Sequence, residues 1–132
     1  LLYQTMRALI NDKIPNRLIR YIYELKAICI NGEAPQVFQC VICGDKERPG
    51  QFSTLKGGKV CIHCMRDVYD GLELDPSTWY TLQYIESAKV EHLYNFTVSD
   101  LVLRELAMVM GRYMDVYVDH QFKSLEILKL MT

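Results

Sequence analysis

Four of the chain's five cysteines stand in two short pairs, Cys40-Val41-Ile42-Cys43 and Cys61-Ile62-His63-Cys64, separated by 17 residues. No other feature restricts the fold so strongly. Two CxxC pairs at this separation match the spacing of a tetrahedral four-cysteine zinc site, each pair forming a tight knuckle whose backbone N–H groups donate to thiolate sulfur. Gly44 follows the first pair, where the knuckle turn calls for a residue able to take positive φ. Gly57-Gly58 reads as a hairpin turn that returns the second pair beside the first. Four sulfurs close the coordination shell and leave no position for water, so one metal here is structural rather than catalytic.

Two other uses of the cysteines compete with zinc. Cys61-Ile62-His63-Cys64 alone could be a redox pair, with His63 lowering a thiol pKa, but this leaves Cys40 and Cys43 without a purpose. Paired disulfides belong to secreted chains, and the odd fifth cysteine, Cys29, argues against them. Cys29 lies on an apolar helical stripe and reads as a small buried hydrophobe. His63 reads as a bystander on its knuckle, and His92 and His120 as ordinary helix residues.

The cysteine segment interrupts helical text. Leu2, Met6, Leu9 and Ile10 recur at helical spacing, and a second helix is expected from an Asn16 N-cap through Leu18, Ile22, Leu25 and Cys29 to Gly32. Gln51-Phe52-Ser53 and Lys59-Val60 have strand character. Asp75-Pro76 is an N-cap and N1 pair for a helix carrying Trp79, Leu82 and Ile85. Thr97-x-x-Asp100 should open the longest helix, with Leu106, Met110, Tyr113, Tyr117 and His120 on one face. A last short helix is expected near Ser124, bearing Leu125 and Leu128. The fold class is therefore mainly α: one helical domain over residues 1–132 with an inserted four-cysteine, zinc-ribbon-like β-hairpin element at about 36–66.

Half of the 132 residues are hydrophobic and the net charge is −1, which excludes disorder and a uniformly basic nucleic-acid binder. The sum hides a pattern. Residues 1–40 carry +2, residues 41–66 carry +3, and residues 67–105 carry −6, an acidic stretch that reads as solvated helix faces. No apolar run approaches a membrane span and no secretory signal is visible, so an intracellular chain is expected. There is no phosphate loop, no nucleophile elbow and no paired-carboxylate arrangement. The chain should act by binding and not as an enzyme, with no membrane and no small-molecule substrate.

The order of segments carries a resemblance. Tyr23-Glu24-Leu25, Asn31-Gly32-Glu33-Ala34-Pro35, Cys40-x-x-Cys43-Gly44, Phe52-Ser53, Gly57-Gly58, Cys61-x-x-Cys64 and Phe122-Lys123-Ser124-Leu125 occur in that order. Together they resemble the C-terminal region of the RecO family of bacterial recombination mediators, over essentially the whole chain. Members of that family begin with an OB-fold domain, so a chain opening at Leu1-Leu2 without Met is expected to be the C-terminal portion, cut at a domain boundary. The resemblance implies DNA repair and homologous recombination through the RecF pathway, in the bacterial cytoplasm at the nucleoid. The implied partners are single- and double-stranded DNA, RecR, and the acidic, apolar C-terminal tail of single-stranded DNA-binding protein (SSB). Their joint effect would be strand annealing and RecA loading.

An acidic, apolar tail needs an apolar pocket rimmed by cations. The second helix offers Arg17, Arg20 and Tyr21, with Tyr21 standing where the family is expected to place a basic residue. For DNA, the candidates are Lys46, Arg48, Lys56, Lys59 and Arg66 on or beside the zinc loops, with Phe52 nearby for base stacking. The alternative is a zinc-ribbon protein-interaction module with no nucleic-acid role. On the repair reading, a near-neutral chain alone should bind DNA weakly and with strong salt sensitivity. On either reading, removing zinc should unfold residues 36–66 at least.

Overall fold

The computed structural model describes the backbone of residues 1–10 and 14–131 and the side chains of these as far as Val118. The helices are α1 (Leu2–Ile10), α2 (Asn16–Ile30), α3 (Pro76–Ser87) and α4 (Asp100–Met131), with 3-10 turns at Met65–Asp67 and Val90–His92. Strands β1 (Gly50–Ser53) and β2 (Gly58–Cys61) lie between α2 and α3. The architecture is helical with a small inserted hairpin, as the sequence predicts.

Local chemistry sets most of the boundaries. At the C-terminus of α2, Gly32 takes φ 76°. There Gly32 N–H donates to Cys29 O at 3.0 Å and Glu33 N–H to Ile28 O at 3.1 Å. These two bonds are a Schellman closure, which satisfies carbonyls the helix leaves open. Asp75 caps α3 by accepting from Ser77 N–H at 2.9 Å, with Pro76 at the first helical position. Two expected caps move. Asn16 is itself helical and Pro15 takes the cap position without a side-chain hydrogen bond. At α4 the cap is Ser99 and not Thr97, since Ser99 Oγ accepts from Val102 N–H at 3.3 Å. The separate last helix is also corrected, because α4 runs unbroken to Met131. No Gly or Pro follows Gly111, so nothing in the chain stops the helix at Ser124. The side chains of His120, Leu125 and Leu128 lie outside the described ones.

The core lies where α2, α3 and α4 converge. Leu18, Ile22 and Leu25 of α2, Leu82 and Ile85 of α3, and Leu106 and Val109 of α4 are fully enclosed. The hairpin reaches into the same core: Phe52 and Val37 belong to it. Phe52 lies 6.2 Å from the Trp79 ring and 6.4 Å from the Tyr113 ring. Phe52 is therefore the bolt between hairpin and helices, and the expectation that it stacks on bases is overturned: it has no exposed surface.

β1 and β2 pair antiparallel, Gly50 opposite Cys61 and Ser53 opposite Gly58. Gln36 bridges to Gly58 on one side and Leu72 to Phe52 on the other. Backbone pairing thus continues past Arg66 to Leu72. Gly58 has a specific steric reason: a Cβ there would lie 2.2 Å from the carbonyl oxygen of Gln36. The α1 helix forms where its periodicity predicts, but its apolar residues face away from the core and only Thr5 and Ala8 are buried.

Candidate metal centre

The hairpin register brings the end of β2 beside the first knuckle. Val41 N–H donates to Lys59 O at 2.9 Å, and Ile62 N–H to Pro49 O at 3.0 Å. The sulfurs of Cys40, Cys43, Cys61 and Cys64 consequently gather within 4.8 Å of one another. Cys43 Sγ and Cys61 Sγ are 3.6 Å apart. With zinc–sulfur bonds of ~2.3 Å, a regular tetrahedron has sulfur–sulfur edges of about 3.8 Å. The donor set fits, and these four residues can hold a metal ion. Cys40 and Cys61 are buried, Cys64 is half-buried and Cys43 faces solvent.

The backbone is shaped for thiolate. Ile42 N–H and Cys61 N–H each point at Cys40 Sγ, at 3.4 Å. Gly44, at φ 77°, closes the first knuckle by donating to Cys40 O at 2.9 Å. Burial opposes ionisation of Cys40, but the N–H groups of Cys43, Cys61 and Ile42 outweigh it and bring the thiol down to about 6. Cys64 moves the other way, to about 12, because its thiol hydrogen-bonds the Cys61 sulfur and is partly desolvated beside the others. Four sulfurs this close cannot all carry charge without a cation among them, which is the service a metal ion supplies.

Asp45 is the organising residue that reading the cysteines alone misses. Its Oδ1 accepts from the N–H groups of Glu47 and Arg48, both at 2.8 Å, and its carbonyl accepts from Cys40 N–H at 2.8 Å. Those two N–H bonds hold its carboxyl below the usual range. The available signal was an Asp in the loop just after Gly44, where Asx turns are common. A second carboxylate, Asp70, pins the hairpin tip: Ser53 Oγ donates to it at 2.6 Å and Leu55 N–H at 2.9 Å.

The cationic candidates separate into two groups. Lys46, Arg48, Lys56 and Arg66 are exposed, and Lys59 is half-buried. Arg48 is nevertheless paired beside the centre, its guanidinium pKa raised by the Cys61 sulfur first and by Asp45, whose Oδ2 lies 3.7 Å from its Nε. Lys59 Nζ lies 5.6 Å from the centre of the Trp79 ring. On α2, Arg17 donates to Tyr21 Oη at 3.5 Å, a long contact, and Arg20 pairs with Glu24 at 2.8 Å while its side chain stays 74% exposed. His63 is exposed, and Cys29 is half-buried against the core.

The acidic stretch divides as well. Asp67, Glu73, Glu91 and Asp100 are exposed. Asp75 caps α3, and Glu105 accepts from Asp75 N–H at 3.0 Å and from the Thr78 hydroxyl. Among the described residues no helix is long and apolar enough to cross a membrane.

The family model described as "Recombination protein O C terminal" matches residues 1–126. The chain is 32% identical to the DNA repair protein RecO of Thermoanaerobacter sp. over 102 residues, which is 77% of this chain and 41% of that one. It is 31% identical to the protein of that name from Acetivibrio thermocellus over 121 residues, 91% of this chain and 48% of the relative. For the Bacillus pumilus protein the figures are 30% over 132 residues, 99% of this chain and 51% of the relative. The chain spans about half the length of the curated relatives it matches. No solved structure matches it.

Proposed function

The chain belongs to the recombination protein O C-terminal family, whose work is DNA repair and recombination, and from that premise we propose that it is a non-catalytic binding platform of a recombination mediator. Its Cys40, Cys43, Cys61 and Cys64 hold one structural zinc ion. The ion would neutralise the four sulfurs and lock both knuckles; it takes no part in a reaction. The surfaces around it contact single- and double-stranded DNA, while the helical part receives the SSB tail and RecR, so that strands anneal and RecA is loaded.

The observation that carries the DNA reading is the placing of Lys46, Lys56 and Arg66, exposed on loops stapled by the cysteine cluster. Rigid loops present phosphate-contacting charges at little entropic cost. Arg48, exposed but paired with Asp45, and Lys59, half-buried over the Trp79 ring, contribute less directly. For the SSB tail, Arg17 and Arg20 remain the cations of choice beside Tyr21. Arg20 must exchange Glu24 for a tail carboxylate, which makes that contact weaker than a free arginine's would be.

The test is a titration of labelled single-stranded DNA into the full-length protein and into a variant carrying Lys46→Glu, Lys56→Glu and Arg66→Glu. Each lost phosphate contact should flatten the slope of log affinity against log salt by about 0.7. An unchanged slope and affinity would refute this surface and favour the protein-interaction module. A separate titration with an SSB tail peptide should weaken on Arg20→Ala; indifference would remove Arg20 from that site.

A further inference from the structure

Burial of Phe52 leaves the basic loops without the aromatic ring that the sequence offered them, and the fold supplies another. Tyr69 is 92% exposed, the most exposed large hydrophobic side chain among the described residues, and Leu55 is 77% exposed. Both come to one edge of the hairpin. Phe52 and Leu72 exchange two backbone hydrogen bonds of 2.8 Å in an antiparallel bridge. Three residues along from that bridge, the same register turns Tyr69 toward Leu55. The neighbouring Asp70 carboxylate fixes the approach, accepting from Ser53 Oγ at 2.6 Å and from Leu55 N–H at 2.9 Å. On the other side, the 3-10 turn that follows Cys64 is closed by Val68 N–H donating to Met65 O at 3.1 Å. The backbone of Tyr69 is thus clamped between the second knuckle and the hairpin tip while its ring stands in water.

A ring left in water forgoes the free energy it would gain by burial, so its surroundings matter. Lys56 follows Leu55 at the hairpin tip and Arg66 lies in the 3-10 turn, both exposed. Asp67 is the one exposed acid between Ser53 and Asp70. A flat ring flanked by cations on anchored loops matches the alternation of base and phosphate along a single strand. In a duplex the base faces are covered by their own stack, and the ring has nothing to meet. We propose that Tyr69 is the base-stacking residue of this surface and that it biases the protein toward single-stranded over double-stranded DNA. This rests on the DNA-binding reading above and gives that surface a residue and a strand preference. Stacking on one base is worth about 5- to 150-fold in affinity.

The test is a titration of labelled oligothymidine, and of a labelled duplex of equal length, into the full-length protein and its variants at several salt concentrations. Tyr69→Ala should weaken single-strand binding by about 5-fold or more and duplex binding by less than about two-fold. It should leave the salt slope unchanged, because tyrosine neutralises no phosphate. Tyr69→Phe should bind like the parent, and both variants should keep the parent's far-UV circular dichroism. A strand carrying iododeoxyuridine should crosslink under ultraviolet light to Tyr69, mapped by mass spectrometry. Single-strand affinity unchanged in Tyr69→Ala overturns the inference. So does an equal loss on both DNAs, and so does a Phe variant as weak as the Ala variant, which would make the hydroxyl the contact. The charge-reversal variant separates the two readings. If it flattens the salt slope while Tyr69→Ala changes nothing, stacking alone is refuted; if neither variant changes binding, the DNA surface itself is refuted with it.

Discussion

Glu86, in the last turn of α3, is the residue whose replacement tests the packing most directly. Its Oε2 is enclosed and without a hydrogen-bond partner. Burial pushes the carboxyl up from 4.5 to about 8, and Lys26 offsets only part of this. The Lys26 ammonium is directed instead at carbonyl oxygens, Ala88 O at 2.7 Å and Glu86 O at 3.2 Å. Cys29 of α2 and Tyr113 of α4 face the same site, their own pKa values raised by burial and then by the Glu86 charge to about 11 and about 12. Between pH 4.5 and about 8 the unfolded chain has released the Glu86 proton while the folded chain retains it. The folded state then binds more protons, so stability falls as pH rises through this window and is flat for this group outside it. At 1.36 kcal/mol per unit the full shift would be worth nearly 5 kcal/mol, and partial access to water reduces the working figure to about 2–4 kcal/mol. Glu86→Gln keeps the shape and removes the ionisation. Urea unfolding of both proteins should give nearly equal stability at pH 4.5 and a variant about 2–4 kcal/mol more stable above pH 8. Taking the difference between the two proteins at each pH cancels any loss of metal in acid. A difference that does not change with pH, or a variant less stable at pH 8, would refute the reasoning.

Gly111 sits in the interior of α4, and a Cβ there would meet nothing within 4 Å. Gly111→Ala should therefore raise stability by about 0.5–1 kcal/mol, read as a higher thermal midpoint, and a lower midpoint would mean the site is not open helix. Asp45→Ala should weaken metal affinity by about 10–100-fold in competition with a chromophoric chelator, while Asp45→Asn, which keeps an acceptor, should lose much less. Equal losses would show that the charge and not the Asx turn matters. Chelation should abolish amide protection at Cys40–Cys64 in hydrogen exchange and spare the α3–α4 core; protection unchanged in the knuckles would exclude a structural ion.

What the sequence made legible was chemistry confined to a few adjacent residues. The two CxxC pairs, Gly44, the Asp75-Pro76 cap and the Gly32 closure each answer a local demand that few other residues meet, and each stands where it was expected. Caps with near-equal neighbours moved: a serine two residues after Thr97 serves as well, and tertiary packing decides between them. Helical periodicity identified α1 and its apolar face but could not say which way that face points, since the pattern is identical for a core-facing and an outward-facing stripe. Phe52 failed for a related reason. Between basic residues on a short strand an aromatic looks like a stacking platform, and only the long-range approach of Trp79 and Tyr113 turns it into core.

The acidic stretch shows why this distinction bears on function. Summed along the chain, residues 67–105 form a field of −6 that should hold phosphate away. In the fold, Asp70 is consumed by Ser53 and Leu55, Asp75 and Glu105 by the start of α3, and Glu86 keeps its proton up to about pH 8. Exposed acids number four, Asp67, Glu73, Glu91 and Asp100, against exposed Lys89 and Arg104. Internal hydrogen bonds satisfy much of the remaining charge, and solvent screens what reaches the surface over a Debye length of about 8 Å at physiological salt. Repulsion from this region is correspondingly mild. The salt dependence of DNA binding should then be governed by Lys46, Lys56 and Arg66, and neutralising Glu73 and Glu91 should change affinity far less than removing those three cations.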